Sequence, residues 1–169
     1  TCSIGLIASP NDAFATTSFV DAFPVSDEET SPSGLAFNTD GTKMFVIGYN
    51  DNDVNEYACS TGFDVSTCEY SGDSERFSLK VYSATSDASE LRFNTDGTKM
   101  FVVSKNPSYL TQYACSTGFD VSTCSFSSEK YVTYPPNAFA FNTDGKKLFL
   151  LNSLGQGLRE HACSTGFEL

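Results

Sequence analysis

The stretch FNTDGTKMFV, Phe37–Val46, returns unchanged at Phe93–Val102 and once more as FNTDGKKLFL at Phe141–Leu150. The three copies start 56 and then 48 residues apart, the period of a supersecondary unit that cannot bury its own faces and must stack on its neighbours. Within the stretch, Thr39-Asp40-Gly41-Thr42 reads as a tight reversal, with Gly41, Gly97 and Gly145 supplying the positive φ that other residues resist. Asp40, Asp96 and Asp144 precede those glycines as turn formers that bond their own backbone.

Reading outward, Gly34-Leu35-Ala36-Phe37 before the turn is a first strand, and Lys43-Met44-Phe45-Val46-Ile47 after it is a second. The second is apolar on both faces and should be the most buried. Asp53-Val54-Asn55-Glu56-Tyr57-Ala58 alternates and predicts a half-exposed third strand. A less regular fourth strand is expected around Glu75 to Tyr82 and around Phe126 to Thr133. The organisation is a single repeat domain over 1–169. It comprises a closing strand and connection at 1–33, repeats at 34–83 and 84–133, and a partial repeat at 134–169.

YACSTGFDVSTC, Tyr57–Cys68, returns intact at Tyr113–Cys124, and its first part returns as HACSTGFEL from His161 to the end of the sequence. Local disulfides Cys59–Cys68 and Cys115–Cys124 are the simple solution. Each closes a loop of about ten residues and adds roughly 2.5–3 kcal/mol in the chain-entropy model. A four-thiolate zinc site is the competing reading, and it would need cysteines two to four residues apart drawn from different copies. Cys163 lacks a partner nine positions on, which leaves Cys2. Thr1-Cys2-Ser3-Ile4 aligns with Thr123-Cys124-Ser125-Phe126, so an N-terminal strand would complete the third unit. Three units fall short of a closed ring, so that strand is expected from another chain. The alternatives are a closed three-fold prism or trefoil with an internal Cys2–Cys163 bond, and a stretch cut from a longer array.

Aromatic and β-branched residues with many Ser and Thr favour an all-β protein: 15 Phe and 8 Tyr stand beside no Trp. The net charge is −11, and no basic run exists to neutralise a phosphate backbone, which argues against nucleic acid. With no charged leader and no apolar run approaching ~18 residues, the sequence reads as mature, soluble and not inserted in a membrane. Six cysteines point to an oxidising compartment, so a secreted, extracellular or cell-surface protein is expected.

The unit FNTDGTKMFV…NDVNEYACSTGFDVSTC resembles the F-x-P-D-G-T-K-M-Y-V…V-x-Q/E-Y-x-L-S-T-x-x-D-V-S-T repeats of bacterial and phage-type β-propeller proteins. More distantly it is similar to TolB and WD40-like blades. The resemblance implies four-stranded blades and leaves the function open. Thr39, Thr95 and Thr143 stand where the family has proline, and cysteines flank the S-T-x-x-D-V-S-T loop.

Chemistry is sparse at this level. The Asp-Gly turns lack the alternating oxygen ligands of a calcium loop. Asn50-Asp51-Asn52-Asp53 is richer, which makes Asp51 and Asp53 the weak metal candidates of a chain with no expected cofactor. His161 holds the place of Tyr57 and Tyr113 and reads as a strand residue. Glu28, Glu29, Glu56, Glu69, Glu75 and Glu90 stand in copy-specific or exposed contexts with no recognisable partner, so no acid–base pair emerges. The expectation is a non-enzymatic structural or interaction module whose partner is itself, joined head to tail by strand sharing and a Cys2–Cys163 link into a ring or surface filament. A multivalent glycan-binding propeller is the alternative, and a propeller hydrolase ranks last.

Overall fold

The computed structural model describes residues 19–49, 51–79, 86–152 and 157–169. They form three separate antiparallel sheets and no α-helix among the described residues. The first sheet holds β1 (Pro32–Phe37), β2 (Lys43–Gly48) and β3 (Asp53–Cys59), with β4 (Cys68–Tyr70) and β5 (Arg76–Ser78) both paired to β3. A 3-10 turn, Asp73–Glu75, splits that outer strand, which explains its irregular sequence pattern. The second sheet runs in order through β6 (Ser86–Phe93), β7 (Lys99–Asn106), β8 (Ser108–Cys115) and β9 (Cys124–Tyr131). The third holds β10 (Pro136–Phe141), β11 (Lys147–Asn152) and β12 (Leu158–Ala162). The expected completing strand with Cys2 lies outside the described residues.

The register repeats with the sequence. Met44 faces Tyr57, Met100 faces Tyr113 and Leu148 faces His161, so His161 is the third copy's strand residue. Sheets stack face to face through β1, β6 and β10, and the core lies between them. Phe45 of the first sheet packs on Phe93 of the second at 4.7 Å, and Phe93 packs on Phe119 at 5.3 Å. Phe101, Phe141 and Phe167 repeat the chain at 4.7 and 5.3 Å. β2 and β7 are buried on both faces, as their apolar runs require. β11 alternates instead, and β12 is exposed throughout.

The far face of the first sheet is covered by the segment that precedes β1, from Phe23 to Glu29, while Phe19 and Val20 stay exposed. Phe23 meets the Tyr57 ring edge-on at 5.5 Å, and Val25 joins the cluster of Met44, Val46 and Tyr57. These residues form no strand.

The Asp-Gly turn is held as its residue types dictate. Asn38 Oδ1 accepts from Lys43 N at 3.0 Å, and Asp40 Oδ1 accepts from Thr42 N at 3.0 Å and from its hydroxyl at 2.6 Å. Those hydrogen bonds hold the Asp40 carboxyl below its ordinary value, and Asp96 and Asp144 behave alike. Gly41 has φ 75°, and Phe63 N donates to its carbonyl at 3.0 Å, so the cysteine loop docks on the turn. A Cβ on Gly41 would stand 2.4 Å from the Phe63 ring. The third copy keeps this lock through Gly145 and Phe167.

Candidate functional site

Disulfides close Cys59–Cys68 and Cys115–Cys124. They remove the zinc alternative for those four cysteines and fit an extracellular or periplasmic compartment. Cys163 is unpaired among the described residues, and burial pushes its thiol above the ordinary value, against nucleophilic use. It lines a cleft of about 390 Å³ between the second and third sheets with His161, Lys130 and Arg159.

Several acidic residues read from the sequence as exposed and partnerless are neither. Glu56 is buried and pairs with Lys43 at 2.6 Å. Lys43 Nζ also donates to Phe119 O at 2.9 Å, and Glu56 Oε2 accepts from Val121 N at 3.4 Å, so this pair grips the cysteine loop of the next sheet. The second sheet repeats the grip: Lys99 Nζ donates to Phe167 O at 3.0 Å, and Gln112 Oε1 accepts from Leu169 N at 3.0 Å. Burial raises the Glu56 carboxyl, with the Lys43 ion pair opposing. Oxygens of Glu56, Glu75 and Asp120 lie within 4.8 Å of one another, a spacing a metal ion would fit. Lys43 already supplies positive charge there, and in the second grip, where Gln112 holds the place of Glu56, the carboxylate comes from Glu168, which pairs with Lys99 and accepts from Gln112 Nε2 at 3.0 Å.

The second correction concerns Glu90. Its strand, β6, lines an open cavity of about 620 Å³ with β1 and β10, the innermost strands of the three sheets. Relative to Phe93, Glu90 and Arg92 occupy the places of Gly34 and Ala36 in the first copy and of Ala138 and Ala140 in the third. Two small residues have become an ion pair. Arg92 Nε donates to Phe139 O at 2.8 Å, and Glu90 Oε2 accepts from Phe139 N at 2.8 Å, which clamps β10 to β6. The Glu90 side chain is 15 % exposed and the Arg92 side chain 52 %. Nε is committed to Phe139 O and one N–H of Nη2 to Glu90, and Arg92 is among the residues that line the cavity. Comparing the copies position by position would have found this pair, because charge interrupts small residues at two places in one copy only.

Asp53 and Asp51 separate. Asp53 is buried, with Oδ2 3.7 Å from Arg76 Nε, whereas Asp51 stays in the turn after Tyr49. No helix among the described residues is long and apolar enough to cross a membrane.

No protein-family model matches the chain, and no curated protein sequence matches it. Solved structures do. A candidate 6-phosphogluconolactonase from Bacteroides fragilis aligns with TM-score 0.60 and 14% identity over 78% of this chain and 34% of its own. The periplasmic gluconolactonase of Pseudomonas aeruginosa aligns with TM-score 0.58 and 19% identity over 78% and 35%. The Swd1 β-propeller domain of Myceliophteria thermophila aligns with TM-score 0.56 and 10% identity over 80% and 41%. The fold is that of a β-propeller, as the repeats implied, and not a prism or trefoil. The chain spans less than half the length of these proteins.

These neighbours overturn the expected function. The self-assembling module rested on the unfinished third copy and its unpaired Cys163, and the judgement that the chain is no enzyme rested on the absence of a catalytic motif. Propellers of the same architecture include proteins named as lactonases. A motif search is a weak test of activity in such a fold, because residues of stacked sheets that are close in space are distant in sequence.

Proposed function

We propose that the chain belongs to a lactone-hydrolysing β-propeller working in an extracellular or periplasmic compartment. The observation that carries this reading is the Glu90–Arg92 pair, placed on an innermost strand beside an open cavity where the other copies have only small residues. The likeness to gluconolactonase-type propellers supports the same substrate class. Arg92 is fixed by Glu90 and the Phe139 carbonyl, so its remaining N–H donors are oriented before any ligand arrives. Such a donor stabilises the oxyanion formed when water adds to a lactone carbonyl carbon. Collapse of that adduct breaks the ring C–O bond, the ring oxygen takes up a proton, and a hydroxy acid results. Arg92 would equally hold the carboxylate or phosphate of a sugar-acid ligand. Glu90 acts through Arg92 and is a positioning residue.

Acid release from gluconolactone and 6-phosphogluconolactone, followed at constant pH against the spontaneous rate, tests the reading. Hydrolysis above background is expected, with kcat/KM lowered at least about tenfold by Arg92→Ala, equivalent to about 1.4 kcal/mol. Rates equal to the spontaneous reaction would overturn it.

A further inference from the structure

On the far face of the first sheet, three buried side-chain oxygens lack hydrogen-bond partners. Glu29 is 0 % exposed and enters the far face of the first sheet from the segment that covers it. Its Oε1 accepts from Ser31 N at 2.7 Å, and its Oε2 has no hydrogen-bond partner. The carboxyl lies directly over Gly48, where a Cβ would stand 2.1 Å from Cδ, so only glycine leaves room for it. On β3, Val54 pairs with Ile47 and Asn55 with Val46, which sets Gly48 opposite Asp53 and places Asp53 and Asn55 on the face that Glu29 covers. Asn55 is 0 % exposed, its Nδ2 lies 3.5 Å from the carbonyl of Glu28, and its Oδ1 is unpartnered. Asp53 is 7 % exposed and its Oδ1 is unpartnered as well.

Three buried oxygens without donors, two of them on carboxylates, are costly to desolvate, and Ser31 N and the long contact from Arg76 compensate the carboxylates only in part. Arg76 meets Asp53 through Oδ2 and leaves Oδ1 inward. Oxygen-only ligation with two negative charges and one neutral amide suits a hard divalent cation that accepts irregular geometry, which is calcium. We propose that Glu29 Oε2, Asp53 Oδ1 and Asn55 Oδ1 form a structural calcium site that pins the segment preceding β1 onto the first sheet. The site lies away from the Arg92 cavity and stands independently of the lactonase reading. It also gives a role to Asp53 from the Asn50–Asp53 loop, with Asp51 outside the ligand set.

The test uses the whole chain, freed of metal with a chelator and titrated with calcium while the thermal midpoint is followed. Terbium emission excited through tyrosine gives a second reading, because the chain has no Trp and Tyr57 stands two residues from Asn55 on the same strand. Calcium is expected to raise the midpoint by several degrees, as ligation to the folded state alone must, and to displace terbium. Glu29→Gln should lose both responses. Asp53→Asn, which preserves shape and so guards against a folding failure, should weaken calcium at least about tenfold by losing one charged ligand. Asp120→Asn, in the other acidic cluster, should keep both responses. No calcium response in the wild type, wild-type affinity in both site variants, or loss of the response only in Asp120→Asn would each overturn the proposal.

Discussion

The interface between the first and second sheets and the interface between the second and third are written in nearly the same letters, yet they are joined differently at the axis. At both, a Phe of the second strand meets the inner-strand Phe of the next sheet at 4.7 Å, and a Lys grips the next cysteine loop. At the first, Gly34 lets β1 touch β6 closely: a Cβ there would be 3.0 Å from Glu90 Cα, and Ser33 Oγ donates to Ala88 O at 2.7 Å. At the second, Glu90 and Arg92 reach across and hold Phe139 by its backbone N–H and its carbonyl. The lesson is that the copied aromatic framework carries the stacking, while the few uncopied positions beside the axis are free to take on chemistry.

The comparison can be pressed hardest at its shared part. Phe45→Ala and Phe101→Ala each empty a fully buried aromatic site and should cost about 3–5 kcal/mol. Phe149→Ala, the half-buried third copy, should cost distinctly less by chemical denaturation. Equal losses at all three would break the claim that burial by the next sheet sets the value of this residue. Gly34→Ala comes next. Its Cβ would meet Ile47 Cγ2 at 2.7 Å, so overpacking of about 1–3 kcal/mol is expected. Ala138→Gly, at the matching place in the third copy, should cost about 0.5–1 kcal/mol through strand propensity alone.

The smallest effect separates Glu56 from Gln112 at the two grips. Burial raises the Glu56 carboxyl above its ordinary value of 4.5, so from 4.5 up to the raised value the folded protein binds more protons than the unfolded chain. This residue's contribution to stability therefore grows as pH falls through that window and declines as pH rises. Glu56→Gln puts the amide of the second grip in place of this carboxylate and should flatten that slope in pH-resolved melting curves. An unchanged slope would show that Lys43 outweighs burial at this position.

Much of the fold was legible because its causes are local. The Asn-Thr-Asp-Gly turn, the apolar run of β2 and β7 and the nine-residue spacing of paired cysteines each act within a few residues of themselves. The interrupted outer strand of the first sheet follows from Gly72 at φ 101° before the 3-10 turn, a conformation that no periodicity announces. The candidate site escaped motif reading for the opposite reason. Arg92 acquires its meaning from a peptide 47 residues away in sequence, and Glu29 acquires its own from the missing side chain of Gly48. An acidic residue looks solvated in a sequence until something arrives to cover it.

The docking of Phe63 on the Gly41 carbonyl, repeated by Phe119 on Gly97 and Phe167 on Gly145, closes each loop against its own turn across only about 20 residues. Contacts of such short range can form before any neighbouring sheet is in place. Each copy therefore carries within itself the contacts that close its corner, and a gene that duplicates this unit duplicates them with it.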